Sequence, residues 1–139
     1  DITAPLYWWK EFDTYKVGTV ANSTSTMHKI HSKPFELSDF STDKMVDSAK
    51  DCMQEILKVL ENLRQEFISD KASNKDAWYS IIQLLPESYN QKRTVTLNYE
   101  NAISMYYSRR NHKLSEWHVF CDWIKSLPHS ELIIPEGEE

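Results

Sequence analysis

The residues best suited to chemistry fall in two polar stretches. "FDTYKVGTVANSTSTMHK", residues 12–29, sets seven hydroxyl-bearing side chains beside Lys16, Gly18, Asn22 and Lys29. Hydroxyls and free backbone N–H groups hold phosphate oxygens, and a lysine adds the charge such a site needs. The plain alternative is a solvated loop whose hydroxyls bond nearby backbone groups, and composition by itself favours that reading. "SMYYSRRNHKLSEWH", residues 104–118, gathers Arg109, Arg110, His112 and Lys113 in a chain of net charge −5. A guanidinium fork fits phosphate or carboxylate. One arginine paired with a carboxylate such as Glu116, with the others capping helix carbonyls, would use the same residues equally well.

Two further patterns are weaker. His28 and His31 form a His-x-x-His pair, but zinc needs at least a third ligand and no nearby Cys, Asp or Glu is suitably spaced, so no metal site is expected. Tyr7, Trp8, Trp9, Tyr106, Tyr107, Trp117 and Trp123 offer faces for a flavin or nucleobase. Aromatics at helical spacing read first as core.

The elements that position these residues follow from composition and period. The 139 residues make a single domain, 1–139, able to bury a core without staples. Five Trp, seven Tyr and five Phe stand against only two Gly, which argues for helices over a turn-rich all-β fold. The acidic balance speaks against a general nucleic-acid or anionic-membrane binder. No signal peptide, spanning run or lipidation motif is visible. Cys52 and Cys121 fall at apolar positions of predicted helices, which reads as reduced core thiols in a cytoplasmic protein. The chain opens on Asp1 and enters an apolar segment at once, as a domain joined partway through would.

Residues 1–12 read as a short strand and then a helical turn after Pro5. Residues 13–33 carry no helical period, and Val17, Thr19 and Val20 suit a short strand. Met45, Ala49, Cys52, Ile56, Leu60, Leu63 and Phe67 predict a helix over about 43–70, capped by Ser41 or Thr42. Ser73 and Asp76 resemble a capping box for a helix over about 74–84, stopped before Pro86. "RTVTLN" alternates as a strand. Asn98 then caps a helix to about 110 and Ser115 another to about 126, with Pro128 beyond. Residues 131–139 form an acidic tail.

The segment "LPESYNQKRTVTLNYENAISMYYSRR" places Leu85-Pro86 before a strand, Asn98 at a helix start and Arg109 one helix later. In this it resembles the C-terminal half of the flavin-dependent thymidylate synthases. "LSEWHVFCDWI" sits where that family has its Ala-Gln-x-Glu-Ile-Arg helix, with Glu116 and Trp117 near the acidic and apolar places. The family signature is an Arg-His-Arg triplet, a serine-bearing spacer and a later Ser-x-Arg. Here "TYK" at 14–16 occupies the triplet's place and "NSTSTMH" the serine-rich part. The likeness covers most of this chain and the later part of the family's domain.

The resemblance implies an α+β, mainly helical domain with a small sheet. It also implies a site for a pyrimidine nucleotide such as dUMP built from Lys16, Ser23, Ser25, His28 and Arg109, with Tyr15 and Asn98 toward FAD. A flavin hydride would serve reductive transfer on the nucleotide. Several subunits build each site in the family, so a homo-oligomer is implied, and a phage or prophage origin is in keeping. The departures are specific: Thr14, Tyr15 and Lys16 replace the triplet, Thr26-Met27-His28 lacks the Ser-x-Arg arginine, and Ile82 and Glu100 stand where arginines are expected. A charge-assisted phosphate contact contributes roughly 1.5–3 kcal/mol, so three losses would weaken binding by orders of magnitude and argue against the ordinary reaction. The other reading is a non-catalytic oligomeric interaction protein reusing the scaffold, with Arg109 in a structural ion pair.

Overall fold

Helix-forming stretches dominate the chain, and the fold is mainly helical α+β with one small sheet. The computed structural model describes residues 1–15, 20–23, 26–132 and 134. In order, these form strand β1 (Ile2–Pro5), helix α1 (Leu6–Phe12), strand β2 (Val20–Ser23) and the short helix α2 (Thr26–Lys29). A 3-10 turn (Leu37–Asp39), the long helix α3 (Asp47–Ser69), α4 (Lys75–Leu84) and β3 (Asn90–Thr96) follow. Helices α5 (Tyr99–Arg109) and α6 (Ser115–Lys125) and a 3-10 turn (Ser130–Leu132) close the described chain. The strands lie in the order β1-β3-β2. Among the described residues no helix is long and apolar enough to cross a membrane. The residues expected as an acidic tail, apart from those of the last 3-10 turn and Ile134, lie outside the described residues, as do Val17 and Thr19.

The chain divides into two compact units, one of residues 1–2, 8–22 and 93–139, the other of residues 3–7 and 23–92. In the second unit α3 packs along α4. Ile30, Phe35, Phe40, Met53, Leu60 and Ile81 form its buried centre, with Met45, Trp78 and Tyr89 packed around it. The buried stripe of α3 runs through Met53, Leu60 and Arg64, so Cys52 is turned outward and is exposed, contrary to its expected place in the core. A three- and four-residue repeat admits two neighbouring stripes, and the bulkier Met53 takes the inner one.

Helix α3 also starts later than its sequence suggests, at Asp47, with Val46 as an N-cap that makes no side-chain bond. Neither expected cap, Ser41 or Thr42, holds that place: the Ser41 N–H donates to the Ser88 carbonyl (2.9 Å) and its hydroxyl to Asn90 Oδ1 (2.8 Å), while the Thr42 carbonyl accepts the Met45 N–H. Phe40 forms an isolated antiparallel bridge with Tyr89, which together with these bonds ties Ser41 away from the start of α3. Nor is there a Ser73–Asp76 capping box: Asn74 holds the N-cap of α4 without a side-chain bond, and the Ser73 N–H donates to Asp70.

One ion pair ties α3 to the segment before it. Arg64 Nη2 meets Glu61 Oε1 at 2.7 Å, Arg64 Nη1 donates to the His31 carbonyl (3.5 Å), and Glu61 Oε2 accepts the Phe35 N–H (3.0 Å). These bonds, that from Arg64 foremost, bring the Glu61 carboxyl down to about 2 against the opposing effect of burial.

The first unit is aromatic inside. Trp8, Trp9, Phe12, Tyr106 and Trp117 are each almost fully buried, with Met105 and Ile124 beside them. Asn98 caps α5 as expected: its side chain accepts the Asn101 N–H (2.8 Å), and Asn101 Oδ1 accepts the Asn98 N–H (3.3 Å). Ser115 is the first helical residue of α6, and Leu114 is its N-cap. Helix α6 packs on α5 and buries Trp117, Phe120, Cys121 and Ile124, with Trp117 and Phe120 meeting the Trp8 ring of α1. Burial pushes the Cys121 thiol up to about 11, so this cysteine is the inert core thiol expected of it.

Candidate functional site

The polar centre of the first unit is built on Glu11. Helix α1 sends Trp8, Trp9 and Phe12 inward and carries Glu11 beside them, one-third exposed. A carboxylate so close to an aromatic core needs donors. Glu11 Oε2 accepts the Trp117 indole N–H (2.8 Å) and Arg109 Nη1 (3.1 Å), and lies 3.0 Å from His112 Nε2. His112 Nδ1 accepts the Leu114 N–H (3.1 Å), so the neutral ring carries its proton on Nε2 and donates it to Glu11. The end of α5, the α5–α6 joint and the first turn of α6 thereby meet on one oxygen of α1.

Arg109 is held from three sides. Its Nε donates to Tyr15 Oη at 2.8 Å, and its guanidinium lies 4.9 Å from the Trp117 ring centre and 5.4 Å from that of Tyr15. The ring contacts are cation–π geometry. Nearby, Arg93 repeats the pattern over the Trp9 ring at 4.3 Å while binding Asp13 at 2.7 Å.

The arrangement limits what Arg109 can receive. A guanidinium grips phosphate or carboxylate through two nitrogens, either Nε with Nη2 or Nη1 with Nη2. Tyr15 engages the first of these pairs at Nε and Glu11 the second at Nη1. Nη2 alone is without a hydrogen bond among the described residues, on a side chain that is 19% exposed.

Of the residues expected at a nucleotide or flavin site, Tyr15 and Arg109 are in direct contact. Asn98 is not with them: it opens the helix that Arg109 closes, about 16 Å away at the usual rise per residue. Lys16 and Ser25 lie outside the described residues, and of Ser23 only its place at the end of β2 is described. His28 is exposed on α2. His31 is not poised beside it as a ligand: its ring packs edge-on to Phe67 at 5.0 Å, and burial, Lys71 and Arg64 together lower its pKa. Among the described residues no group of three or more His, Cys, Asp or Glu could hold a metal ion.

Sequence reasoning looked to Glu116 for the arginine's partner, whereas the structure uses Glu11. The visible signal was a lone carboxylate inside "WWKEF", a stretch otherwise aromatic enough to be buried. Compared with protein-family models, with curated proteins and with solved structures, the chain matches none.

Proposed function

We propose that this chain is a non-catalytic interaction protein on a scaffold of the flavin-dependent thymidylate synthase type, in which Arg109 has become a structural ion pair. The order of β3, the Asn98-capped α5 and a terminal Arg109 is the order on which that resemblance rests, and it supports the scaffold. The engagement of Arg109 carries the rest. A nucleotide phosphate would have to displace Tyr15 or Glu11, or settle for a single contact from Nη2. The flavin fits no better, because the Tyr15 hydroxyl serves Arg109 and the Asn98 side-chain oxygen serves the helix cap. Exposed Tyr107, Val119 and Trp123 on the aromatic-rich helices supply apolar surface for a partner or a second subunit.

The experiment is a visible spectrum of the purified protein, followed by melting with FAD and with dUMP. The expected result is a colourless protein whose melting temperature neither ligand moves. A flavin spectrum, or a dUMP shift abolished by Arg109→Ala, would overturn the interaction reading.

One observation favours a second reading, retained nucleotide binding. Nη2 of Arg109 is unbonded, and Tyr15, which holds this arginine, directly precedes Lys16. On that reading dUMP and FAD are the ligands and a homo-oligomer is their setting. The same titration then gives a dUMP shift.

A further inference from the structure

His112 is engaged at both ring nitrogens, in opposite senses and by different elements. Its Nε2–H donates to Glu11 Oε2 of α1 at 3.0 Å, and its Nδ1 accepts the Leu114 N–H at 3.1 Å. Leu114 is the N-cap of α6 and, being a leucine, supplies no cap bond of its own. Among the described residues the ring is the one acceptor for its N–H. The imidazole thus spans from α1 to the start of α6, and the joint between α5 and α6 hangs on it. At 22% exposure the ring is open to protons from solvent.

A neutral imidazole has one donor and one acceptor, whereas an imidazolium has two donors. A proton arriving on His112 goes to Nδ1, because Nε2 already carries one. Two N–H groups would then face each other across 3.1 Å, and one must withdraw. The charges around the ring decide which. Glu11, on α1, holds a charged ring more tightly than a neutral one. Arg109, at the end of α5, binds the same carboxylate oxygen and Lys113 follows His112 directly, so both resist the added charge. Tyr15, beyond α1, is taken up by Arg109. The first turn of α6 holds Glu116 and His118, and His118 Nε2 lies 2.6 Å from the His112 carbonyl. The ring therefore stays on α1, and the Leu114 N–H is the partner that leaves.

We propose that His112 is a proton-operated latch on the α5–α6 joint. As neutral imidazole it ties the N-cap of α6 to α1; as imidazolium it keeps Glu11 and releases the joint. Imidazole is the side chain that ordinarily changes charge between about pH 5 and 8, which sets the range to search. The released stretch carries Arg110 and Lys113, so one proton both frees the joint and adds charge to it.

The test is nitrogen-15 NMR of the full chain at about pH 8 and about pH 5, reading the His112 ring and the exchange protection of single N–H groups. At the higher pH the ring proton should sit on Nε2. On acidification the Leu114 protection factor should fall about tenfold, the effect of one lost hydrogen bond. The Trp117 indole N–H on Glu11 and the Asn101 N–H on Asn98 should keep theirs. His112→Asn offers an oxygen in place of Nδ1 and cannot titrate, so Leu114 should be equally protected at both pH values. Glu11→Gln removes the charge that favours the imidazolium and should move the transition to lower pH. His118→Gln keeps a donor for the His112 carbonyl and should leave the transition where it is. Should His112→Asn not fold, the spectra of the unaltered chain still decide. A proton on Nδ1 at the higher pH, or unchanged Leu114 protection, overturns the latch. So does a pH effect that persists in His112→Asn or vanishes in His118→Gln. Loss of the Trp117 indole together with Leu114 also overturns it, since the polar centre as a whole would then be giving way.

Discussion

The two units each hold an arginine against a glutamate, and the pairs are built in opposite ways. Glu61 and Arg64 are three residues apart on α3, and both Nε and Nη2 of Arg64 reach the carboxylate at 2.7–3.0 Å. The remaining nitrogen reaches the His31 carbonyl, and the side chain is 8% exposed. Glu11 and Arg109 come from helices far apart in sequence, and Glu11 is shared with His112 and Trp117. The first pair is complete as soon as one helix forms and its neighbouring segment folds onto it. The second exists only when α1, α5 and α6 are assembled, and it leaves one arginine nitrogen unbonded. Local spacing therefore makes a closed staple, and long-range assembly makes a hub with residual capacity.

The difference breaks down most sharply under mutation of the staple. Arg64→Ala leaves the partly exposed Glu61 carboxylate with only the Phe35 N–H and Gln65 as donors and removes the bond to the His31 carbonyl, and should cost about 1–3 kcal/mol, read by urea unfolding. A loss below 1 kcal/mol would show that the staple is incidental. Acid tests the same pair. Glu61 lies at about 2 in the folded chain against 4.5 for the free group. A depressed carboxylate stabilises fully above its unfolded value, and the contribution drains away as pH falls from 4.5 toward 2, by about 2–3 kcal/mol. His31 is also lowered from 6.5, favouring its neutral form, so it starts a gentler decline below that pH. Glu61→Gln should be less stable at neutral pH and should flatten the lower part of the curve; an unchanged acid limb would contradict the assignment.

The hub should respond no more strongly. Glu11→Gln keeps an acceptor for Trp117 but removes the charge opposite Arg109, and should cost about 1–3 kcal/mol. Its loss should be partly relieved by Arg109→Met in the double variant if the two residues act as a pair, which a double-mutant cycle measures. Smallest is the helix cap: Asn98→Ala should cost about 1 kcal/mol, and Asn98→Asp much less, seen as shifts in the unfolding midpoint.

Legibility from sequence followed the range of the interactions. Asn98 was readable because its partner, the Asn101 N–H, lies three residues away, and β3 was readable because alternation is local. Helix α4 stopped before Pro86 for the same reason. Ser41 misled because its real partners, Ser88 and Asn90, are almost fifty residues on, and no local rule announces them. Cys52 misled because stripe orientation depends on what packs opposite, not on period alone. At the candidate site, Arg109 stood out by type, but its use was set by Glu11 and Tyr15 from the other end of the chain.

The closely packed indoles of the first unit have an optical consequence. Trp8 lies 4.9 Å from Trp9 and 4.7 Å from Trp117, centre to centre, at interplanar angles of 78° and 40°. Transition dipoles that close and that skewed couple, so the folded protein should show an exciton couplet in circular dichroism near the indole absorption band. Its emission should combine a blue-shifted buried trio, the partly buried Trp78 of the second unit and the red-shifted light of exposed Trp123. One spectrum thus reports the assembly of α1 with α6, and the other reports the exposed face of α6 as well.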